Sequence, residues 1–245
     1  MSEPAMELRI AHLYPDEMNI YGDRGNILTL YQRCQWRGIK VHLSMLGLGQ
    51  PVHPEAFDLY FIGGGQDAQQ IQICEDLQAV KANGLNAAAA NGAVFLTICG
   101  GYQLLGHYYK PHQGPELKGL SLIDAYTVAG STRMIGNITV VRPDGSTVVG
   151  FENHSGQTFL GQGVTPLGTV SEGGGNNGQD KTEGVAHENI YGTYLHGSLL
   201  PKNPQLADEI IAKALTFRYN KPIHLPPLDD ALEKQAHHRA QQLRA

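Results

Sequence analysis

For its first hundred residues the chain alternates between short apolar runs and amphipathic stretches. Residues 8–13 form an apolar run that predicts a strand, and residues 14–22 read as a loop. Ile27, Leu30 and Tyr31 recur at helical spacing, so a helix is expected from Asp23, its cap, to Trp36. Gly38 ends that helix, and residues 39–45 alternate as a strand. A Gly/Pro-rich connection leads to an apolar strand at 57–62, which runs into Gly63-Gly64-Gly65. Residues 67–90 read as one helix, with Gly84 as its expected weak point. Val94, Phe95, Leu96 and Ile98 then form a nearly continuous apolar run, as suits a parallel strand buried on both faces. Strand–helix–strand, twice over, predicts an α/β fold with a mostly parallel central sheet and helices on both faces.

The rhythm changes after residue 120. Candidate strands to 194 are shorter and separated by Gly, Asn and Asp turns, so extra antiparallel strands are expected in the second half. Pro143-Asp144-Gly145-Ser146, between two Val-rich runs, signals a hairpin. Residues 173–181 read as a polar Gly/Asn-rich loop. They narrowly miss a phosphate loop, because Lys181-Thr182 does not directly follow a glycine. Asn203 and Pro204 open a helix to 219. From Pro222 the chain is proline-punctuated and then helical over 228–243, with a basic end (His237, His238, Arg239) that reads as a solvated face or docking surface. The expected organisation is one domain over 8–220 and a C-terminal helical tail over 221–245.

At 245 residues, 41% hydrophobic and 17% charged, the chain has the make-up of a soluble globular protein. A formal charge of −5 gives no electrostatic case for nucleic acid as main ligand. No apolar run approaches the roughly 20 residues that span a bilayer. Residues 1–6 lack the basic-then-apolar order of a signal peptide. Three cysteines, Cys34, Cys74 and Cys99, fit a reducing cytoplasm and no disulfide framework. Cys34 and Cys74 lie in helix-like stretches and read as ordinary thiols.

Cys99 differs. It follows a buried strand and precedes Gly100-Gly101, with Leu104 and Leu105 beginning a helical pattern. A nucleophile elbow needs this order, since glycines remove the Cβ atoms that would clash at a strained strand-to-helix turn. A helix N-terminus there would favour thiolate. A buried structural cysteine at a strand end fits the same stretch. A cysteine nucleophile needs a base, and His196 ends an apolar-rich strand, where it can share a rim of the sheet with the elbow. Two backbone N–H groups could hold an oxyanion, one from Gly100 and one from the Gly63–Gly65 loop. No HExxH or Cys-x-x-Cys spacing is present, so neither metal nor cofactor is implied.

Six stretches together carry a family likeness: residues 19–26, 61–65, 97–103 (Thr-Ile-Cys-Gly-Gly-Tyr-Gln), Thr132-Arg133, 150–154 (Gly-Phe-Glu-Asn-His) and 192–197 (Gly-Thr-Tyr-Leu-His-Gly). In this order the sequence resembles class I, triad-type glutamine amidotransferases of the cobyric-acid-synthase-like branch. Within that branch it is most similar to the amidotransferase subunits of lipid II isoglutaminyl synthases. The likeness covers roughly residues 8–220. It implies a flavodoxin-like fold, L-glutamine as substrate, Cys99 as nucleophile and His196 as base. It also implies Gly64 and Gly100 as backbone oxyanion donors. Arg133 would take the α-carboxylate, with Gln103, Asn153 and His154 around the substrate. By the same resemblance the partner is a Mur-ligase-like, ATP-dependent synthetase of the MurT type, and the product is D-isoglutamine in the peptidoglycan precursor. Alternatives on the same residues are amidation of cobyrinate or cobyric acid, a γ-glutamyl hydrolase or cysteine peptidase, and a binding subunit without catalysis.

One feature departs from the pattern. Many class I members carry His-x-Glu, whereas here the sequence is His196-Gly197-Ser198. The missing acid leaves three expectations: a dyad, an acid such as Glu152 or Asp16 from elsewhere in the chain, or an acid from the partner. The third is favoured, since an enzyme idle without its synthase would not waste glutamine.

Overall fold

The computed structural model describes residues 5–243; the first four residues of the stretch read for a leader lie outside it. Two sheets build the molecule. The first contains β1 (Glu7–Leu13), β2 (Lys40–Leu46), β3 (Leu59–Ile62) and β4 (Val94–Ile98), with α1 (Arg24–Gln35), α2 (Asp67–Asp76) and α3 (Ala82–Ala90) in the crossovers. A single short turn, α4 (Gly100–Gln103), follows β4. The second sheet contains β5 (Tyr108–Lys110), β6 (Leu117–Lys118), β7 (Ala125–Val141), β8 (Thr147–Leu160), β9 (Gly168–Glu172) and β10 (Thr182–Glu183). The chain then returns to the first sheet as β11 (Val185–His187) and β12 (Ile190–Thr193) and ends in α5 (Pro204–Tyr219) and α6 (Ala231–Gln241).

The first sheet runs β11-β12-β4-β3-β1-β2, parallel throughout except at edge strand β11. Every residue of β3, β4 and β12 is buried. Apolar runs without polar alternation are what strands covered on both faces require. Strands β4 and β12 pair in register, Thr193 beside Ile98, so the residues just after each emerge at one rim. Sequence separation of nearly a hundred residues is thereby erased by one row of hydrogen bonds.

Several expected elements come out differently. The helix foreseen at 67–90 is interrupted by a π-helical turn over Leu77–Lys81, not at Gly84. Gly84 instead lets the helix approach the Val52 carbonyl, which a Cβ would meet at 2.1 Å. At the π turn the fully buried Lys81 ammonium donates to Asp76 (2.6 Å) and the Gly47 carbonyl (2.9 Å) and lies 4.4 Å from the Tyr14 ring centre. A buried cation needs such partners. The helix expected beyond the elbow stops after Gln103. Leu104 and Leu105 are completely buried core residues, and an apolar pair cannot reveal how long a helix runs.

The second half has long strands where short ones were expected. Strands β7 and β8 pair as a hairpin of 17 and 14 residues, joined by the turn foreseen at Pro143–Ser146. Glycines that read as turns lie inside it because other chain segments press close. A Cβ on Gly150 would meet Leu195 at 2.7 Å, and one on Gly156 would meet Gln103 at 2.2 Å. The ladder shifts register between Ala129 and Met134, and Arg133 sits in that irregularity. The tail is tied down by charge. Arg33 of α1, 1% exposed, bridges Asp208 of α5 (2.7 Å) and Asp230 before α6 (2.6 Å). His237 accepts from or donates to Thr147 and contacts the Lys202 carbonyl, so the basic end of α6 is partly docked on the molecule itself. Among the described residues no helix is long and apolar enough to cross a membrane.

Candidate active site

Strand β4 ends at Ile98, and Cys99 turns the chain with φ of 49°. That left-handed backbone is unusual for a side-chain-bearing residue and marks a strained turn. The neighbours explain why glycines follow. A Cβ on Gly101 would lie 2.8 Å from the Ile62 carbonyl and 2.9 Å from that of Gly63, and one on Gly100 would lie 3.0 Å from the Gly65 carbonyl. The β3 and β4 turns are therefore packed backbone to backbone. Cys99 N–H donates to the Thr193 carbonyl at 2.8 Å, which locks the elbow to the end of β12.

Three residues beyond Thr193, His196 N–H donates to the Phe151 carbonyl of β8 (2.8 Å). The imidazole is 1% exposed, and the Tyr21 ring meets it edge to face at 4.9 Å. Asp23 Oδ1 stands 3.5 Å from His196 Nδ1, an ion-pair distance. The other oxygen, Oδ2, accepts the Gly64 N–H at 2.6 Å. Burial alone would depress the imidazole, but the Cys99 sulfur and the Asp23 carboxylate outweigh it and raise its pKa to about 10. The imidazole is thus electrostatically coupled to both the Cys99 sulfur and the Asp23 carboxylate.

A cavity of about 380 Å³ opens above Cys99. Gln103, Arg133, Asn153 and His154 all line it, so the structure gathers these four sequence-derived residues at one place. Arg133 is exposed and donates through Nε to Asn153 Oδ1 (2.7 Å), leaving its terminal amines without a partner among the described residues. Gln103 is buried, accepts from Gln70 Nε2 (2.9 Å) and donates to the Tyr194 hydroxyl (3.2 Å). His154 is buried, stacks on Tyr194 at 3.5 Å between ring centres, and is held through Nδ1 by the Gly156 carbonyl.

Two expectations need correction. Gly64 N–H is committed to Asp23 and is not free for an oxyanion; Gly65, one residue on, lines the cavity, and its N–H has no partner among the described residues. The carboxylate missing after His196 stands in this chain at Asp23. Neither Glu152 nor Asp16 fills that place: Glu152 accepts N–H groups from Gly174 (2.7 Å) and Gly175 (2.9 Å), and the only acid paired with His196 among the described residues is Asp23.

Comparison with known proteins gives the family. Residues 9–204 match the model of the CobB/CobQ-like glutamine amidotransferase domain. The chain belongs to that glutamine amidotransferase family. It is 41% identical over 230 residues to the lipid II isoglutaminyl synthase (glutamine-hydrolyzing) subunit GatD of Staphylococcus aureus, covering 94% of this chain and 93% of that one. Identity to the GatD subunit of Streptococcus pneumoniae is 40%, over 94% of this chain and 88% of the other. A cobyric acid synthase from Listeria monocytogenes is 33% identical over 57% of this chain but only 28% of its own length. Among solved structures, PurLQS of Thermotoga maritima superposes with a TM-score of 0.54 at 16% identity, covering 88% of this chain and all of that one. The glutaminase domain of Trypanosoma brucei CTPS, solved with acivicin bound, gives 0.53 at 12%, covering 89% and 96%. These two share the fold of this chain.

In this amidotransferase domain Asp23, a helix-cap residue by its place in the sequence, turns its side chain to His196 instead. The cap bond at α1 actually comes from Asn19 Oδ1, which accepts Arg24 N–H at 2.9 Å, and Asp23 makes no side-chain cap bond. With two capping residue types four apart, the spare one was the available signal.

Proposed function

We propose that this chain is the glutamine-hydrolysing subunit of a lipid II isoglutaminyl synthase, working with a Mur-ligase-like, ATP-dependent synthetase that uses the ammonia to amidate D-glutamate. The observation that carries the glutaminase half is Cys99, in its strained turn beneath the Arg133-lined cavity, in charge contact with a buried His196 that is itself paired with Asp23. The similarity to two GatD subunits over 94% of the chain supports the acceptor.

In this reading Arg133 binds the glutamine α-carboxylate through its free amines. Cys99 sulfur attacks the carboxamide carbon, and His196, whose raised pKa favours the protonated imidazole, carries the proton. The tetrahedral oxyanion is held by the N–H groups of Gly100 and Gly65, both without another partner among the described residues. His196 returns the proton to the leaving nitrogen, ammonia departs, and a thioester remains. Water then attacks that thioester with His196 as base, and glutamate and the thiol are restored.

The test is ammonia release from L-glutamine, by the chain alone and with the synthetase, followed by ATP-dependent amidation of lipid II. Cys99→Ala should lower release by roughly 10⁴-fold or more. Release unchanged by that substitution would refute the nucleophile. Release that supports corrin amidation and not lipid II amidation would refute the acceptor.

A further inference from the structure

His196 and Asp23 lie on two loops that are strained where they meet. Tyr21 (φ 55°) and Gly22 (φ 78°) place two left-handed residues just before Asp23. On the facing loop Gly197 (φ 70°) and Ser198 (φ 52°) do the same just after His196. Left-handed backbone is costly for Tyr21 and Ser198, which carry a Cβ, and it persists only where the surroundings fix it. The Asp23 turn fixes itself weakly. Asp23 N–H reaches the Ile20 carbonyl only at 3.3 Å, and Ile20 N–H reaches the Gly64 carbonyl at 3.2 Å.

Stronger links come from the His196 loop. Ser198 Oγ donates to the Gly22 carbonyl at 2.7 Å, next to the acid. Further along, the fully buried Asn26 accepts the Leu200 N–H through Oδ1 at 2.9 Å. Gly25 lies between these two links, and a Cβ on it would meet Ser198 Oγ and, at 2.8 Å, Ser198 Cβ. The start of α1 is therefore seated directly on the segment that follows His196. Asp23 Oδ1 stands 3.5 Å from His196 Nδ1, so a small retreat of the turn would loosen their contact.

We propose that Ser198 is a positioning residue for the glutaminase step: its hydroxyl holds the Gly22 carbonyl and so keeps the Asp23 carboxylate at His196. Ser198 does not line the Cys99 cavity, and it acts through Asp23. This assignment rests on the Cys99–His196–Asp23 reading. The ionisable groups that face the imidazole are the Cys99 thiol from the elbow and the Asp23 carboxylate from the turn before α1, with the Tyr21 ring edge-on. Gly64 backbone closes another side, since a Cβ there would lie 2.9 Å from His196 Cε1. Lys202 Nζ lies beside the same loop, 3.7 Å from where a Cβ on Gly197 would stand. Of these groups the Ser198 hydroxyl bears on Asp23 alone.

The experiment measures ammonia release from L-glutamine across pH by the full chain, alone and with the synthetase. The variants are Asp23→Asn, Ser198→Ala and the two together. A parent that releases no ammonia would overturn the glutaminase reading, and an Asp23→Asn variant with unchanged kcat would overturn the role of Asp23. Both failures are visible before any change at residue 198. Ser198→Ala should lower kcat about 10-fold with KM within about twofold. It should also move the alkaline limb of kcat/KM down by about half a pH unit, because Asp23 then favours the imidazolium less. In the Asp23→Asn background the same change should cost less than about twofold, since the group it acts through is already gone. A hydroxyl that only props the loop would cost the same factor in both backgrounds and leave the limb in place. That result, or an unchanged kcat for Ser198→Ala, would overturn the proposal. Ser198→Gly guards against a folding failure: glycine takes a φ of 52° without strain, lacks the hydroxyl and should reproduce the kinetic effect of alanine.

Discussion

Two glycine-rich turns of this molecule look alike on paper and do opposite work. Gly63–Gly65, with Gly100 and Gly101, wraps the nucleophile; Gly173–Gly175 closes the far loop of the second sheet. In the second turn an internal carboxylate has moved in. Glu152 takes the Gly174 and Gly175 N–H groups, and Asn176 is bonded to Thr182 and Gly184. A nest of N–H groups that binds an anion is present, but the anion is the protein's own. In the first turn the nearby carboxylate, Asp23, takes the Gly64 N–H, and those of Gly65 and Gly100 remain without partners among the described residues. Which turn can serve a ligand is decided by where the nearest acid sits, not by the glycine count.

Neutralising each acid should separate the two roles. Asp23→Asn should lower kcat for glutamine by about 100-fold with KM little changed, because it disturbs the base that acts in the transition state. Glu152→Gln should leave kcat within about threefold and lower unfolding free energy by about 1–3 kcal/mol in urea titrations. If Glu152→Gln proved the catalytic lesion and Asp23→Asn the structural one, the contrast would be reversed.

The glycines themselves give a smaller effect. Gly101→Ala drives a Cβ into two backbone carbonyls that cannot yield, at 2.8 and 2.9 Å. It should destabilise by about 1–3 kcal/mol. Gly174→Ala meets the flexible Met134 side chain, and its effect should stay within about 0.5 kcal/mol. Equal losses in a denaturant series would show that both turns are packed alike.

The smallest effect is a pH slope. Burial pushes the Glu183 carboxyl up from 4.5 to about 7, although Thr193 Oγ1 and Tyr194 N–H donate to it. The folded chain therefore keeps a proton that the unfolded chain releases. That stability is complete below pH 4.5 and is lost as pH rises through about 7. Between those values Glu183→Gln should flatten the fall of Tm with pH by a few degrees. An unchanged slope would remove Glu183 from the account.

Sequence alone determined what local chemistry can express. The fully apolar runs at β3 and β4 specify buried parallel strands, and Cys99-Gly100-Gly101 specifies a tight turn, because sterics act between chain neighbours. Family resemblance implied one site for Cys99, His196, Gln103, Arg133, Asn153 and His154, and the fold gathers the last four around a cavity above Cys99. Tertiary structure decided the rest. It alone shows Asp23 leaving its helix end for His196, Glu152 filling the second glycine turn, and the face of α2 that meets the cavity. A carboxylate's partner depends on distance through space, and a helix pattern shows which residues share a face but not what that face touches.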